Sequence, residues 1–148
     1  MGYMAAAVII EEMSRQEVRF TSCNNQQGGT CPQAIYLAGT PEQVKKYVPN
    51  LLAGKTIGMM SLTESGGGSD AEGSMKTFAR RDGDVYRISG QKMWISLGNV
   101  ADVALIFAQT DPDRGHRGLA CFLVELVLAG LAGELGRLLD RYRQATLG

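Results

Sequence analysis

The stretch Lys55-Thr56-Ile57-Gly58-Met59-Met60-Ser61-Leu62-Thr63-Glu64-Ser65-Gly66-Gly67-Gly68-Ser69-Asp70 divides the chain. Before it, apolar residues recur at helical spacing; from Thr56 to Leu62 they form a short continuous run that ends in three glycines, a serine and an aspartate. A change of period from 3.6 to 2 marks a change from helix to strand. The sequence is therefore read as a helical segment over residues 1–54 followed by a β-domain over residues 55–125. Residues 126–148 form a separate tail.

Upstream, Ala6, Ile9, Ile10 and Met13 lie on one side of a helical wheel, with Glu11, Glu12 and Arg15 elsewhere, so residues 3–20 read as an amphipathic helix. Ser14 with Glu17 offers an alternative start as a capping box. The polar, glycine-containing stretch from Asn24 to Thr30 reads as a flexible loop before the helical pattern resumes at Pro32. Thr40, Pro41 and Gln43 then supply a cap, a proline at the first helical position and the return partner of a capping box. Val44, Tyr47, Val48, Leu51 and Leu52 complete the stripe to about Gly54, with Pro49 expected to kink or split the helix.

Downstream, Ser74–Arg80 and Val85–Ser89 alternate around Asp82-Gly83, a strong hairpin signal. Met93–Leu97, Val103–Gln109 and Leu119–Glu125 are three further strand candidates, the last two apolar enough for burial on both faces. All of residues 55–125 reads as antiparallel β, giving an α+β fold. In the tail, Leu128, Leu131, Leu135, Leu138, Leu139 and Tyr142 keep helical spacing, weakened by Gly130, Gly133 and Gly136.

Hydrophobic residues at 45% and charged residues at 20% suit a globular protein. Fifteen basic side chains balance fifteen acidic ones, which argues against nucleic acid or an anionic membrane as partner. Arg137, Arg141 and Arg143 read as the wet face of the tail helix. Cys23, Cys31 and Cys121 are odd in number, contain no close pair and have only His116 for company, so neither a disulfide framework nor a metal site is indicated. The apolar run from Met4 to Ile10 is followed at once by Glu11 and Glu12, unlike a signal peptide or a membrane span.

Three glycines after a strand leave backbone N–H groups open to an anion, and Ser69 adds a hydroxyl. A bare glycine run is more often only a tight loop. No Gly-Lys-Ser/Thr follows, as a P-loop needs, and no helical pattern with a distant acid follows, as a dinucleotide fingerprint needs. Trp94, the single tryptophan, sits in Gln91-Lys92-Met93-Trp94-Ile95-Ser96. An indole can cover a planar heterocycle, and on a strand the Ser96 hydroxyl would project from the same side. Taken alone, Trp94 reads as a core residue.

Together these segments resemble the acyl-CoA dehydrogenase family. Leu62-Thr63-Glu64-Ser65-Gly66-Gly67-Gly68-Ser69-Asp70 is similar to its L-T-E-P-x-A-G-S-D signature, and Lys92-Met93-Trp94-Ile95-Ser96 to its K-M-W-I-T block. The intervening Arg81-Asp82-Gly83-Asp84, the later Ala101-Asp102-Val103 and the upstream Gly39–Pro49 follow the same rhythm, so the resemblance covers residues 3–125. It implies an antiparallel, barrel-like middle domain that binds FAD. By that resemblance Leu62 and Thr63 would meet the flavin pyrimidine edge, and Gly68 and Ser69 the pyrophosphate. Trp94 would flank the isoalloxazine, Ser96 would approach flavin N5, and Met60 and Ser69 would border an acyl-CoA substrate. The implied reaction is α,β-desaturation of an acyl-CoA thioester, with electron-transfer flavoprotein as acceptor and a homotetrameric assembly, in a bacterial cytoplasm or a mitochondrial matrix. Acyl-CoA oxidases share this fold and cofactor.

Ser65, Gly67, Ser96 and Leu97 depart from the family's usual proline, alanine, threonine and asparagine. The first two loosen the turn, whereas Ser96 keeps its hydroxyl. After Glu125 the resemblance is expected to end, before the C-terminal helices that carry the family's catalytic base. No catalytic residue is therefore assigned: Glu64 reads as a brace for its loop, and His116 as part of a solvated hairpin tip. The alternative function is that of a truncated or frameshifted, inactive product serving at most as an interaction module.

Overall fold

The computed structural model describes residues 3–19, 21, 26–126 and 145–146. Helix α1 spans Tyr3–Gln16. A π-helical turn over Gln26–Thr30 runs directly into α2, Cys31–Ala38, so the described part of the expected polar loop is helical. Helix α3, Pro41–Leu52, begins with the expected capping box: the Gln43 N–H donates to Thr40 Oγ1 at 3.3 Å and the Thr40 N–H to Gln43 Oε1 at 2.8 Å. It continues through Pro49 as one helix.

The strands are β1, Gly58–Ser61; β2, Phe78–Asp82; β3, Val85–Ser89; β4, Val103–Gln109; β5, Leu119–Glu125; and the short β6, Ala145–Thr146. A short helix α4, Ala71–Ser74, precedes β2, and a 3₁₀ stretch, Pro112–Gly118, links β4 to β5. The Asp82-Gly83 hairpin forms as read, with Gly83 at φ 62° in the left-handed region its turn requires. His116 lies exposed in the 3₁₀ stretch. The expected tail helix over Leu128–Tyr142 lies outside the described residues.

The α+β order of helices followed by a β-domain is as expected, but the sheet is mixed. Strand β4 pairs antiparallel with β5 along its whole length, while β1 and β2 both run parallel to β4 on its other edge. Ser61 lies opposite Ile106 and Phe78 opposite Gln109, so residues 62–77 leave β4's edge and return to it slightly further along, in the same direction. The chain then needs only one hairpin and one crossover, from β3 over residues 90–102, to reach β4. That crossover makes the pairing parallel, since tight hairpins alone give antiparallel neighbours. Among the described residues the sheet is open, with β3 at one end and β6 at the other.

Period-2 alternation assigns β4 to two cores. Ala104, Ile106 and Ala108 join Met59, Ala79, Ile88, Phe122 and Val124 on one face, where the Tyr86 and Phe122 rings pack at 5.1 Å. Val103 and Leu105 join Leu123 on the other, against Cys31 and Ile35 of α2 and Leu51 of α3. The dual burial read from the apolar run in β4 is thus met by helices on one side and by the hairpin on the other. Asp102 fastens the start of β4 to β1, its carboxylate accepting the Ile57 N–H at 2.7 Å and its own N–H donating to Ile57 O at 2.8 Å.

Candidate functional site

Residues 62–77 form the excursion from β4's edge, and they are tied down from within. Glu64 and Gly67 exchange backbone hydrogen bonds, the Glu64 N–H to Gly67 O at 3.2 Å and the Gly67 N–H to Glu64 O at 3.1 Å. Of the three glycines, Gly67 thus uses its N–H inside the turn. Gly68 lies flush against Thr63: a Cβ added there would stand 3.4 Å from both Thr63 Cγ2 and Oγ1. Asp70 caps α4, accepting the Gly73 N–H on Oδ1 at 3.0 Å. Leu62 and Thr63 are half-buried, and Gly68 and Ser69 are exposed.

Beneath this surface sits a buried ion pair. Lys92 Nζ donates to Glu64 Oε1 at 2.8 Å, and both side chains are only 4% exposed. Glu64 Oε2 accepts the Lys76 N–H at 2.6 Å, and Oε1 also accepts the Thr77 N–H at 3.0 Å. Lys92 Nζ also donates to Leu62 O at 3.1 Å and approaches Met75 Sδ at 3.8 Å. Burial by itself would raise the Glu64 pKa, but the donors from Lys92, Thr77 and Lys76 outweigh it and hold the carboxyl at about 2. Burial pushes the Lys92 ammonium down, and its contact with Glu64 opposes that. Glu64 is therefore the brace its place in the turn suggested. The signal for Lys92 is its charge directly before the apolar run Met93-Trp94-Ile95; its partner, in a separate turn, is not visible from spacing.

The second motif is brought to the first by one backbone bond, from the Met93 N–H to Thr63 O at 3.0 Å. Residues 93–97 are not the expected strand. Trp94 and Leu97 adopt left-handed backbone angles, φ 59° and 62°, and residues 96–100 form turns. With β1 already on β4's edge, this segment has no ladder to join, so the argument that alternation places Trp94 and Ser96 on one side fails. Trp94 is not a core residue either: it is 86% exposed, more than any other large apolar side chain described. Ser96 is also exposed. Met60 sits elsewhere, half-buried on the helix-facing side of β1 beside the cluster of Leu51 and Leu105.

The structure thus joins Leu62, Thr63 and Gly68 with the segment that carries Trp94, on a surface of exposed glycine and serine backed by a neutralised charge pair. Such a surface suits a planar, acceptor-rich ligand. Among the described residues the two thiols do not compete as functional groups, because burial pushes Cys31 and Cys121 to about 12.

Comparison with known proteins identifies the family. The acyl-CoA dehydrogenase N-terminal domain pattern matches residues 1–55 and the acyl-CoA dehydrogenase middle domain pattern matches residues 59–138. The chain belongs to the acyl-CoA dehydrogenase family. The middle-domain match runs past Glu125, where the sequence alone placed its end. Isobutyryl-CoA dehydrogenase of Dictyostelium discoideum is 39% identical over 135 residues, covering 89% of this chain and 31% of that protein. The caffeyl-CoA reductase-Etf complex subunit CarC of Acetobacterium woodii is 37% identical over 134 residues, 88% of this chain and 34% of the relative. A glutaryl-CoA dehydrogenase of Mycobacterium smegmatis, solved in complex with FADH2, superposes with a TM-score of 0.71 at 41% identity, over 78% of this chain and 28% of that one. The chain therefore spans about a third of the length of such curated relatives. No described helix is long and apolar enough to cross a membrane.

Proposed function

We propose that the chain seats FAD for an acyl-CoA dehydrogenase reaction, the α,β-desaturation of an acyl-CoA thioester. One observation carries the reading: the Met93–Thr63 backbone bond sets the segment bearing a fully presented Trp94 beside the glycine turn. An indole left in water forgoes the gain of burying a large apolar surface, which a flavin stacked on it would recover. Leu62 and Thr63 would face the pyrimidine edge, Gly68 and Ser69 the pyrophosphate, and Ser96 the N5 side of the ring. Gly68 fits that role because its missing Cβ leaves the Thr63 hydroxyl uncovered.

FAD, when bound, supplies the hydride acceptor for the substrate's β-carbon. This chain's residues orient the ring and exclude water from one face of it, with Trp94 as the cover. Met60 and Ser69 would border the acyl-CoA, and no side chain described here is assigned as the base that takes the α-proton. The likeness to a subunit of an Etf complex supports electron-transfer flavoprotein as the electron acceptor. A homotetramer, as in the intact family, would be the corresponding assembly, and the likeness to a mitochondrial relative and a bacterial one supports a mitochondrial matrix or a bacterial cytoplasm as its setting.

Because Trp94 is the only tryptophan, its emission reports this site alone. Titration of the chain with FAD is expected to quench Trp94 fluorescence saturably, with flavin absorbance co-eluting with the protein on gel filtration. Unchanged emission and free elution of the flavin would overturn the reading.

A further inference from the structure

We propose that the Glu64–Lys92 pair is the positioning device of the flavin seat, setting the register between its two motifs rather than holding the fold. This rests on the flavin reading above. The pair is saturated: Glu64 accepts from Lys76, Thr77 and Lys92, while Lys92 Nζ reaches Glu64, Leu62 O and Met75 Sδ. An ammonium has three protons, and all three have a neighbour here. Three separate segments meet at these two side chains: residues 62–64 at the exit of β1, residues 75–77 before β2, and residues 92–93 after β3. No strand pairing joins the first of these to the last.

A buried ion pair seldom adds stability over an apolar pair of the same size, because desolvation offsets the attraction. Its distinctive property is geometric. Lys92 fixes the Leu62 carbonyl by donating to it, and the next residue's N–H, Met93, donates to the next carbonyl, Thr63 O. Two consecutive residues thus lock two consecutive carbonyls of the flavin-edge segment, as a two-point clamp. Both carbonyls are thereby occupied by protein donors, and Thr63 is left to present its hydroxyl beside Gly68. Trp94 follows Met93 directly, so the clamp also sets where the indole stands.

The test uses the full 148-residue chain, as wild type, as Lys92→Met and as the double variant Glu64→Gln/Lys92→Met. Lys92→Met strands a buried carboxylate and will unfold part of the population. The double variant removes both charges and leaves no unpaired ion. If the pair positions the clamp, the Met93 amide of the double variant exchanges at least about tenfold faster with solvent, while β4 and β5 amides keep their protection. Its FAD affinity, read by Trp94 quenching, then falls at least about tenfold as well.

Three results would overturn the proposal: Met93 exchange or FAD affinity at the wild-type level in the double variant, loss of β4 and β5 protection along with Met93, or a Met93 amide already unprotected in wild type. The flavin reading fails separately. Wild-type protein that shows a protected Met93 amide but no Trp94 quenching by FAD would sink that reading and leave the exchange result standing.

Discussion

The β4–β5 pair and the segment from Leu62 to Gly98 lie side by side and obey opposite rules. In β4 and β5 the side chains are almost all apolar and most are buried, and the backbone is regular. In residues 62–76 and 92–98 of the neighbouring segment the described buried groups are a carboxylate and an ammonium, and the largest apolar side chain is in solvent on a left-handed backbone. Local consistency specifies a fold, and its violations gather where a ligand is handled. The contrast separates what keeps this chain folded from what it is folded to present.

Substitution should break the two regions differently. Phe122, wholly buried and packed on Tyr86, is expected to show the largest effect: Phe122→Ala should cost about 3–5 kcal/mol in a denaturant titration, with loss of signal from both cores together. Lys92→Met should come next at about 3 kcal/mol, because it strands the Glu64 charge. A loss well below 1 kcal/mol there would mean that Glu64 is neutral or hydrated in the folded chain.

Acid provides a milder version of the same perturbation. The Glu64 carboxyl is held at about 2, below its ordinary value of 4.5, so its contribution is fully present above pH 4.5 and is lost as pH falls toward 2. That difference corresponds to about 3 kcal/mol at most. Wild-type chain should therefore lose stability more steeply than the Glu64→Gln/Lys92→Met variant across this window, by melts at successive pH values. Parallel curves would remove Glu64 from the account. Thr40→Ala is smaller again, about 1 kcal/mol for loss of the capping box, and local to α3.

Legibility in the sequence follows the same divide. The capping box at Thr40, the hairpin at Gly83 and the double burial of β4 each rest on a local signal, and each is present. The glycine turn and the Trp94 block were legible as motifs because two spaced signatures stood in order. Their conformation was not. Strand character for Met93–Leu97 followed from apolar composition, yet whether such a run joins a sheet depends on a free edge, and β1 occupies the one on β4. Parallel pairing of β1 and β2 with β4 was likewise hidden, because strand direction is set by the crossover over residues 90–102 and not by any residue within the strands. The Glu64–Lys92 contact, spanning 28 positions, leaves no periodic trace.

Trp94 gives the smallest expected effect on stability and the clearest separation of the two regions. For a tryptophan in a core, truncation to alanine removes several kcal/mol. At 86% exposure there is little burial to lose, so Trp94→Ala should leave the melting curve within about 0.5 kcal/mol of wild type. Trp94→Gly should even gain up to about 1 kcal/mol, since φ 59° is costly for any residue with a Cβ and costs glycine nothing. Both variants should bind FAD at least about tenfold more weakly, read by flavin co-elution since the reporter indole is gone. A residue whose removal spares or improves the fold while weakening the ligand is maintained for the ligand; a Trp94→Ala chain that melts several degrees lower would instead return the indole to the core.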